Sequence, residues 1–440
     1  MVVPDPALLP PEPDGRTPVV LVAGLPGRAA TGVDRIAAAL LGGDGAVVVR
    51  HELSELREGI VRRTVRTATD ARTTVLELAH GCVSCTLRAD LLPLLCTLAA
   101  RESVRRIVLA LDPAFEAEAV CQAIHDVVVT GVVGRVDGPA GRDVRVEAVL
   151  SCLDSGLWLA DATGDETLAE RGLAAADDDR TVAQVAVGQV DFADAVIAIG
   201  PALDAVEQAR LGAVLARLVP DAPVAWIDDL DTLATADVDA LLARIPAQAR
   251  RGRIFDAHAP LLRGQPPLVA EHGVTLIEFA AGRPFHPGRL HEALDVLFEG
   301  VVTARGRIWL ATQPEEVVWL ESAGGGLRVG GAGRWLAAMS DDEVERADRD
   351  RRALAALRWD DRFGDRDVSL VILAHDADPA EIRRALHWAL VEDDELRLVE
   401  RAPERVALWD DPFGDWHADP CEDGLVEEAA QTESRRGEGK

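Results

Sequence analysis

The chain has 440 residues, a formal net charge of −29 and 48% hydrophobic residues, enough to build cores in two or three domains. It contains no Tyr and no Asn, and its single Lys is Lys440, the last residue. These absences exclude a P-loop Lys, an internal Schiff-base Lys, a Tyr acid or base and an Asn-linked glycan, and the acidic balance argues against direct contact with nucleic-acid phosphate.

Residues 1–17 are Pro-rich and acidic, with neither a basic n-region nor an apolar h-region, and read as a disordered leader rather than a signal peptide. No run of about 20 apolar residues follows, so no membrane contact is expected and the cytoplasm is the expected location. Residues 19–23 form an apolar strand pattern, followed by a Gly/Pro turn and a helix pattern over about 31–41. Strands are predicted at 46–49 and 73–78. A helix is predicted from about 84 to 100, where Leu87, Leu91, Leu94, Leu95 and Leu98 repeat with helical period. Further strands at 105–111, 144–153, 195–199 and 224–227 alternate with helical patterns. That alternation predicts an α/β domain over 18–250, a doubly wound, mostly parallel sheet.

Residues 251–269 are rich in Arg, Gly and Pro and read as a linker. Strand patterns at 274–279, 307–310, 316–321 and 368–373, with helices at 286–297, 341–357 and 379–390, predict a small α+β domain over 270–400. Residues 401–440 read as a tail, acidic and disordered after 419. The segment Trp359-Asp360-Asp361-Arg362-Phe363-Gly364-Asp365 recurs as Trp409-Asp410-Asp411-Pro412-Phe413-Gly414-Asp415. It reads either as an aromatic anchor closed by a Gly turn or as a partner-docking loop.

Two places carry chemistry. The first strand–helix turn, Gly24-Leu25-Pro26-Gly27-Arg28-Ala29-Ala30-Thr31, stands where an α/β protein cradles phosphate on helix N-terminal amides. Ala29 and Ala30 replace the Gly needed for close backbone approach and the Lys that holds the β- and γ-phosphates. Gly24, Gly27, Arg28, which can reach a phosphate, and Thr31, which can offer a hydroxyl to Mg²⁺, remain as candidates. The second place is His80-Gly81-Cys82-Val83-Ser84-Cys85, between a strand and a helix. Two thiols so spaced ligate Zn²⁺, form a redox disulfide, or are incidental to a helix-start turn. Glu77, His80, Glu52 and Glu55 are the nearby candidate donors. His286 and His291, five apart, are badly spaced for one metal. Cys96, Cys121 and Cys152 lie in apolar stretches and read as buried reduced thiols.

At these residues the chain resembles the CobW-like family of P-loop GTPases and metallochaperones. The run from Val75 through Gly81-Cys82-Val83-Ser84-Cys85-Thr86-Leu87-Arg88 resembles the family's Gly-Cys-x-Cys-Cys-Thr-Leu-Arg signature, with Ser84 at the middle Cys. Four later blocks, beginning at Arg283-Pro284-Phe285-His286, Gly306-Arg307-Ile308-Trp309, Gly333-Arg334-Trp335 and Trp359-Asp360, resemble its C-terminal domain. The resemblance implies a P-loop-type fold, a metal site at Cys82, Cys85, Glu52 and Glu55, and GTP with Mg²⁺ at the first turn. The family's base-reading Asn-Lys-x-Asp falls on Gly200-Pro201-Ala202-Leu203, and its Walker-B-like block is changed to Ala110-Leu111-Asp112-Pro113. This pattern is similar to an actinobacterial subgroup that recruits a ribosome hibernation factor under zinc starvation. The implied function is a zinc-status-linked adaptor that binds a protein partner, with GTP hydrolysis lost or weakened. The alternative is an active GTP-dependent zinc metallochaperone.

Overall fold

The computed structural model describes residues 15–78, 81–174, 178–201 and 204–414; the predicted leader up to residue 14 and the tail beyond 419 lie outside these. The chain divides into two units, Met1–Phe255 with Arg263–Pro267, and Asp256–Leu262 with Leu268–Lys440, so the predicted linker is shared between them.

In the first unit the strands are β1 (Thr17–Gly24), β2 (Ala46–Glu52), β3 (Ile60–Arg66), β4 (Ala71–Glu77), β5 (Arg106–Ala110), β6 (Val128–Val129), β7 (Gly138–Pro139), β8 (Val144–Asp154), β9 (Ala195–Ile199) and β10 (Val224–Ile227). Eight of them form one sheet in the order β10-β9-β8-β1-β5-β2-β3-β4. The six from β10 to β2 run parallel, while β3 and β4 extend the edge as an antiparallel hairpin. Val19, Val20, Leu21 and Val22 are fully buried because β1 is central and covered on both faces. Val20 and Val22 face helix α1 (Arg28–Leu41) and the helix Thr235–Ala243. Val19 and Leu21 face the helices Leu92–Ala99 and Ala117–Asp126.

The mostly parallel sheet is the predicted one, but β3 was not legible. Its sequence, Ile-Val-Arg-Arg-Thr-Val-Arg, carries three Arg in seven residues, and only pairing with β2 and β4 makes it a strand. Cys96, Cys121 and Cys152 are buried, as their apolar settings predicted. Burial pushes the Cys152 thiol up to about 12, which leaves it protonated and inert at neutral pH. Residues 250 and 251, predicted near a loose linker, are packed. Arg250 lies 4.0 Å over the Phe192 ring, and the Arg251 N–H donates to Asp194 Oδ1 at 2.8 Å.

The second unit is built on β11 (Val274–Ala281), β12 (Val301–Ile308), β13 (Glu316–Ala323), β14 (Gly326–Arg334) and β15 (Val368–His375), all antiparallel, in the order β11-β15-β12-β13-β14. With the helices Pro287–Ala293 and Pro379–Ala389 this is the predicted α+β domain. Edge strand β14 escaped the sequence because Gly330, Gly331 and Gly333 depress strand propensity; its partner β13 supplies the order. The predicted helix 341–357 is two helices, Asp341–Arg346 and Arg349–Arg358, the second capped by Asp348. Packing continues past residue 400, since Phe413 is buried in the same core.

Both copies of the repeated segment act as anchors. Phe363 packs on Trp309 with ring centroids 5.0 Å apart, and Asp365 accepts the Leu336 and Ala337 N–H groups, each at 2.9 Å. In the second copy Trp409 stacks on His286 at 4.8 Å, and Asp411 accepts from the Gln313 side chain at 3.0 Å. The final Asp415 lies outside the described residues.

His258 gives this unit a pH dependence. Its ring sits edge-on to Trp335 at 5.8 Å, and Nε2 is buried without a partner. Burial and the nearby Arg351 and Arg307 push the imidazole down to about 4, against the partial offset of Asp256 and Asp365. The unfolded chain takes up this proton near pH 6.5 and the folded unit only near 4. Stability is therefore full above about 6.5 and falls as pH drops toward 4, by roughly 3 kcal/mol. Thermal melts across that window should show the slope in the native protein and lose it in His258→Phe; an unchanged slope would refute the assignment.

Candidate metal centre and nucleotide loop

The thiol turn follows the end of β4. Leu78 N–H donates to Gly59 O at 2.8 Å, running the chain alongside the loop between β2 and β3. A Cβ at Gly81 would lie 1.8 Å from Leu56 O, so only Gly fits, and the residue before Cys82 rests on the backbone next to Glu55. Cys82 is the N-cap of the following helix, and its Sγ accepts the Cys85 N–H at 3.1 Å. Both thiols are half-buried, and neither is bridged.

Beyond the turn the helix keeps right-handed dihedrals but passes through a π-turn at Leu87–Leu91 before resuming as Leu92–Ala99. The π-turn carries Asp90, whose Oδ2 lies 2.7 Å from His51 Nε2 and whose Oδ1 takes the Arg63 guanidinium. His51 is 3% exposed and Asp90 11%. This His–Asp–Arg cluster ties the thiol helix to β2 and β3. The sequence reading missed all three residues. A His inside the apolar strand β2 was the available signal, because a buried imidazole needs a hydrogen-bond partner.

The acidic candidates are not gathered with the thiols. Glu55 is held by Arg62 Nη2 at 2.8 and 3.1 Å, and Glu52, 49% exposed, lies 4.0 Å from Arg50 Nε. Among the described residues no three His, Cys, Asp or Glu side chains converge as a metal cluster, and His80 lies outside those residues. The chemistry of two adjacent thiols on a Gly-built cradle suits Zn²⁺, with coordination positions left for donors from elsewhere.

At the first turn, β1 ends at Gly24 and α1 begins at Arg28, leaving the three residues Leu25-Pro26-Gly27 between them. The helix starts three residues before the predicted Thr31 because Arg28, Ala29 and Ala30 are good helix formers. Gly27 adopts φ 100°, outside the range of other residues. Arg28 Nη1 is bonded to Asp154 at 3.0 and 3.1 Å, and Thr31 Oγ1 donates back to Gly27 O at 3.2 Å. Asp112, in the Walker-B-like block, accepts from Leu53 N at 3.1 Å and Ala114 N at 3.0 Å. Of the base-reading positions, Gly200 and Pro201 are described and Ala202 and Leu203 are not. Arg28 and Thr31 are thus turned to internal partners, and Ala30 stands at the position of the P-loop Lys.

Fold and thiol turn together define a two-unit protein, a P-loop-type α/β sheet followed by an antiparallel α+β unit. The profile of the cobalamin synthesis protein CobW C-terminal domain matches residues 274–390. The zinc chaperone Rv0106 of Mycobacterium tuberculosis is 45% identical over 429 residues, covering 97% of this chain and 99% of that protein. The chain belongs to the CobW-like family. Zinc-regulated GTPase metalloprotein activator 1 of Dictyostelium discoideum is 22% identical over 346 residues, 77% of this chain and 70% of that one. The Zn(II)-bound YjiA GTPase from E. coli aligns over 86% of this chain and 99% of its own, at 13% identity and a TM-score of 0.35, too low to bear on the site. Among the described residues no helix is long and apolar enough to cross a membrane.

Proposed function

We propose that this protein carries Zn²⁺ as cargo on Cys82 and Cys85 and acts as a zinc-linked adaptor toward a protein partner, with GTP chemistry weakened. The observation that carries the reading is the Gly81 cradle. It stands beside two half-buried thiols at a helix start, where among the described residues no further His, Cys, Asp or Glu completes a metal cluster. A structural zinc is enclosed by four protein donors, whereas a cargo ion needs positions that a client can occupy. The naming of the 45% identical relative as a zinc chaperone supports zinc as the ion. The weakened nucleotide chemistry is inferred from Ala30 in place of the P-loop Lys and from the internal bonding of Arg28 and Thr31. A ribosome hibernation factor is the partner that the subgroup resemblance implies.

Zinc titration against a chromophoric chelator tests the first part. The wild type is expected to take up one Zn²⁺, and the double substitution Cys82→Ala/Cys85→Ala to take up none with its fold intact by circular dichroism. Undiminished zinc uptake by that variant would remove the thiols from the site. Tight GTP binding with turnover by the wild type would return the protein to the alternative of an active GTP-dependent metallochaperone.

A further inference from the structure

The strand order places a crevice between β1 and β8. After β1 the chain crosses to β2 and comes back to β5 on one side, then moves to β8, β9 and β10 on the other. Open α/β sheets bind their ligands at such a reversal, outside the carboxyl ends of the strands. Here a side chain of the protein already spans it. Arg28, four residues beyond the end of β1, reaches Asp154 at the end of β8, with Nη1 3.0 Å from Oδ2 and 3.1 Å from Oδ1. The Gly156 N–H donates to the same Oδ1 at 3.0 Å and fixes the carboxylate. A Cβ at Gly200, just past β9, would come within 3.2 Å of Arg28 Nη1 and 2.6 Å of Ser155 Oγ. The guanidinium therefore lies across the ends of both β8 and β9. Asp154 is only 14% exposed, so its charge is weakly screened by water.

We propose that the Arg28–Asp154 pair is a built-in stopper of this crevice and keeps polyphosphate out. The inference deepens the reading of a weakened nucleotide site and rests on it. A polyphosphate entering here must displace a guanidinium that would otherwise attract it and then face the carboxylate left behind. Asp154 therefore opposes binding twice, by holding Arg28 and by its own charge. Losing the P-loop Lys removes an attraction; the stopper adds a barrier that the missing Lys alone does not explain.

Calorimetric titration of the full chain with Mg²⁺-pyrophosphate and with Mg²⁺-GDP tests the proposal on the wild type, Asp154→Asn, and Asp154→Asn/Arg28→Ala. Asparagine keeps the size of the side chain while removing its charge; Asp154→Ser makes the same test should Asn disturb β8. Removal of the charge is expected to tighten pyrophosphate binding at least tenfold over the wild type, and removal of Arg28 as well to abolish the gain. Asp154 variants that bind no tighter than the wild type overturn the stopper. So does a double variant that binds as tightly as Asp154→Asn, because the released cation would then not be what binds. Tight wild-type binding with GTP turnover overturns the weakened-site reading instead, whatever the Asp154 variants do.

Discussion

Asp90→Ala is expected to destabilise the protein by about 3 kcal/mol, because it leaves His51 and Arg63 without their shared carboxylate in a site that water reaches poorly. The cost is large for one side chain because it leaves a mostly buried guanidinium without its carboxylate. Arg63 Nε is already buried without a partner, and Nη1 donates to Asp90. Asp90→Asn retains the shape and a hydrogen-bonding oxygen, so it should cost clearly less. Urea denaturation of the two variants against the wild type measures the difference. Equal midpoints for all three would show that the cluster does not hold the thiol helix to the sheet. Zinc uptake adds a second readout, since the helix carrying Cys85 enters the π-turn directly and would lose its anchor to β2.

Gly81→Ala is expected to act on the same region from the other end. Its methyl would stand 1.8 Å from Leu56 O, a backbone atom that has no rotamer to move. The thiol turn or the loop before β3 must shift, at a cost of about 3 kcal/mol at the upper end of ordinary overpacking. The consequence for metal is larger than the consequence for stability. Moving the turn displaces Cys82 together with Gly81, and zinc affinity should fall at least tenfold in chelator competition. Wild-type affinity in a folded Gly81→Ala protein would show that the cradle does not set the position of the thiols.

The two substitutions fall on either side of the edge of the family signature. Gly81 belongs to the matched block and was visible in the sequence as part of the motif, though not as a contact with Leu56. Asp90 lies just beyond the block and had no signal of its own. In an uninterrupted helix it is one more polar position between leucines, and the π-turn at Leu87–Leu91 is what presents it to His51. Arg63 was equally hidden, in a strand that its own composition disguises.

The sequence by itself determined the buried strands of the central sheet, because a run such as Val19–Val20–Leu21–Val22 has no exposed face to offer. It also determined the thiol turn between strand and helix, and the absence of any internal Lys from the first turn. Those properties are local, written in hydrophobic period and residue type. Only the tertiary structure decided where the charged side chains go. Glu52 and Glu55, chosen as metal donors for their place after β2, lie against Arg50 and Arg62, and Arg28, chosen as a phosphate contact, is bonded to Asp154. The physical reason is that Arg and the carboxylates are long, flexible and strongly attracted to one another. Their partners are set by which chain segments the sheet brings side by side, 126 residues apart for Arg28 and Asp154, and not by the residues next to them in sequence.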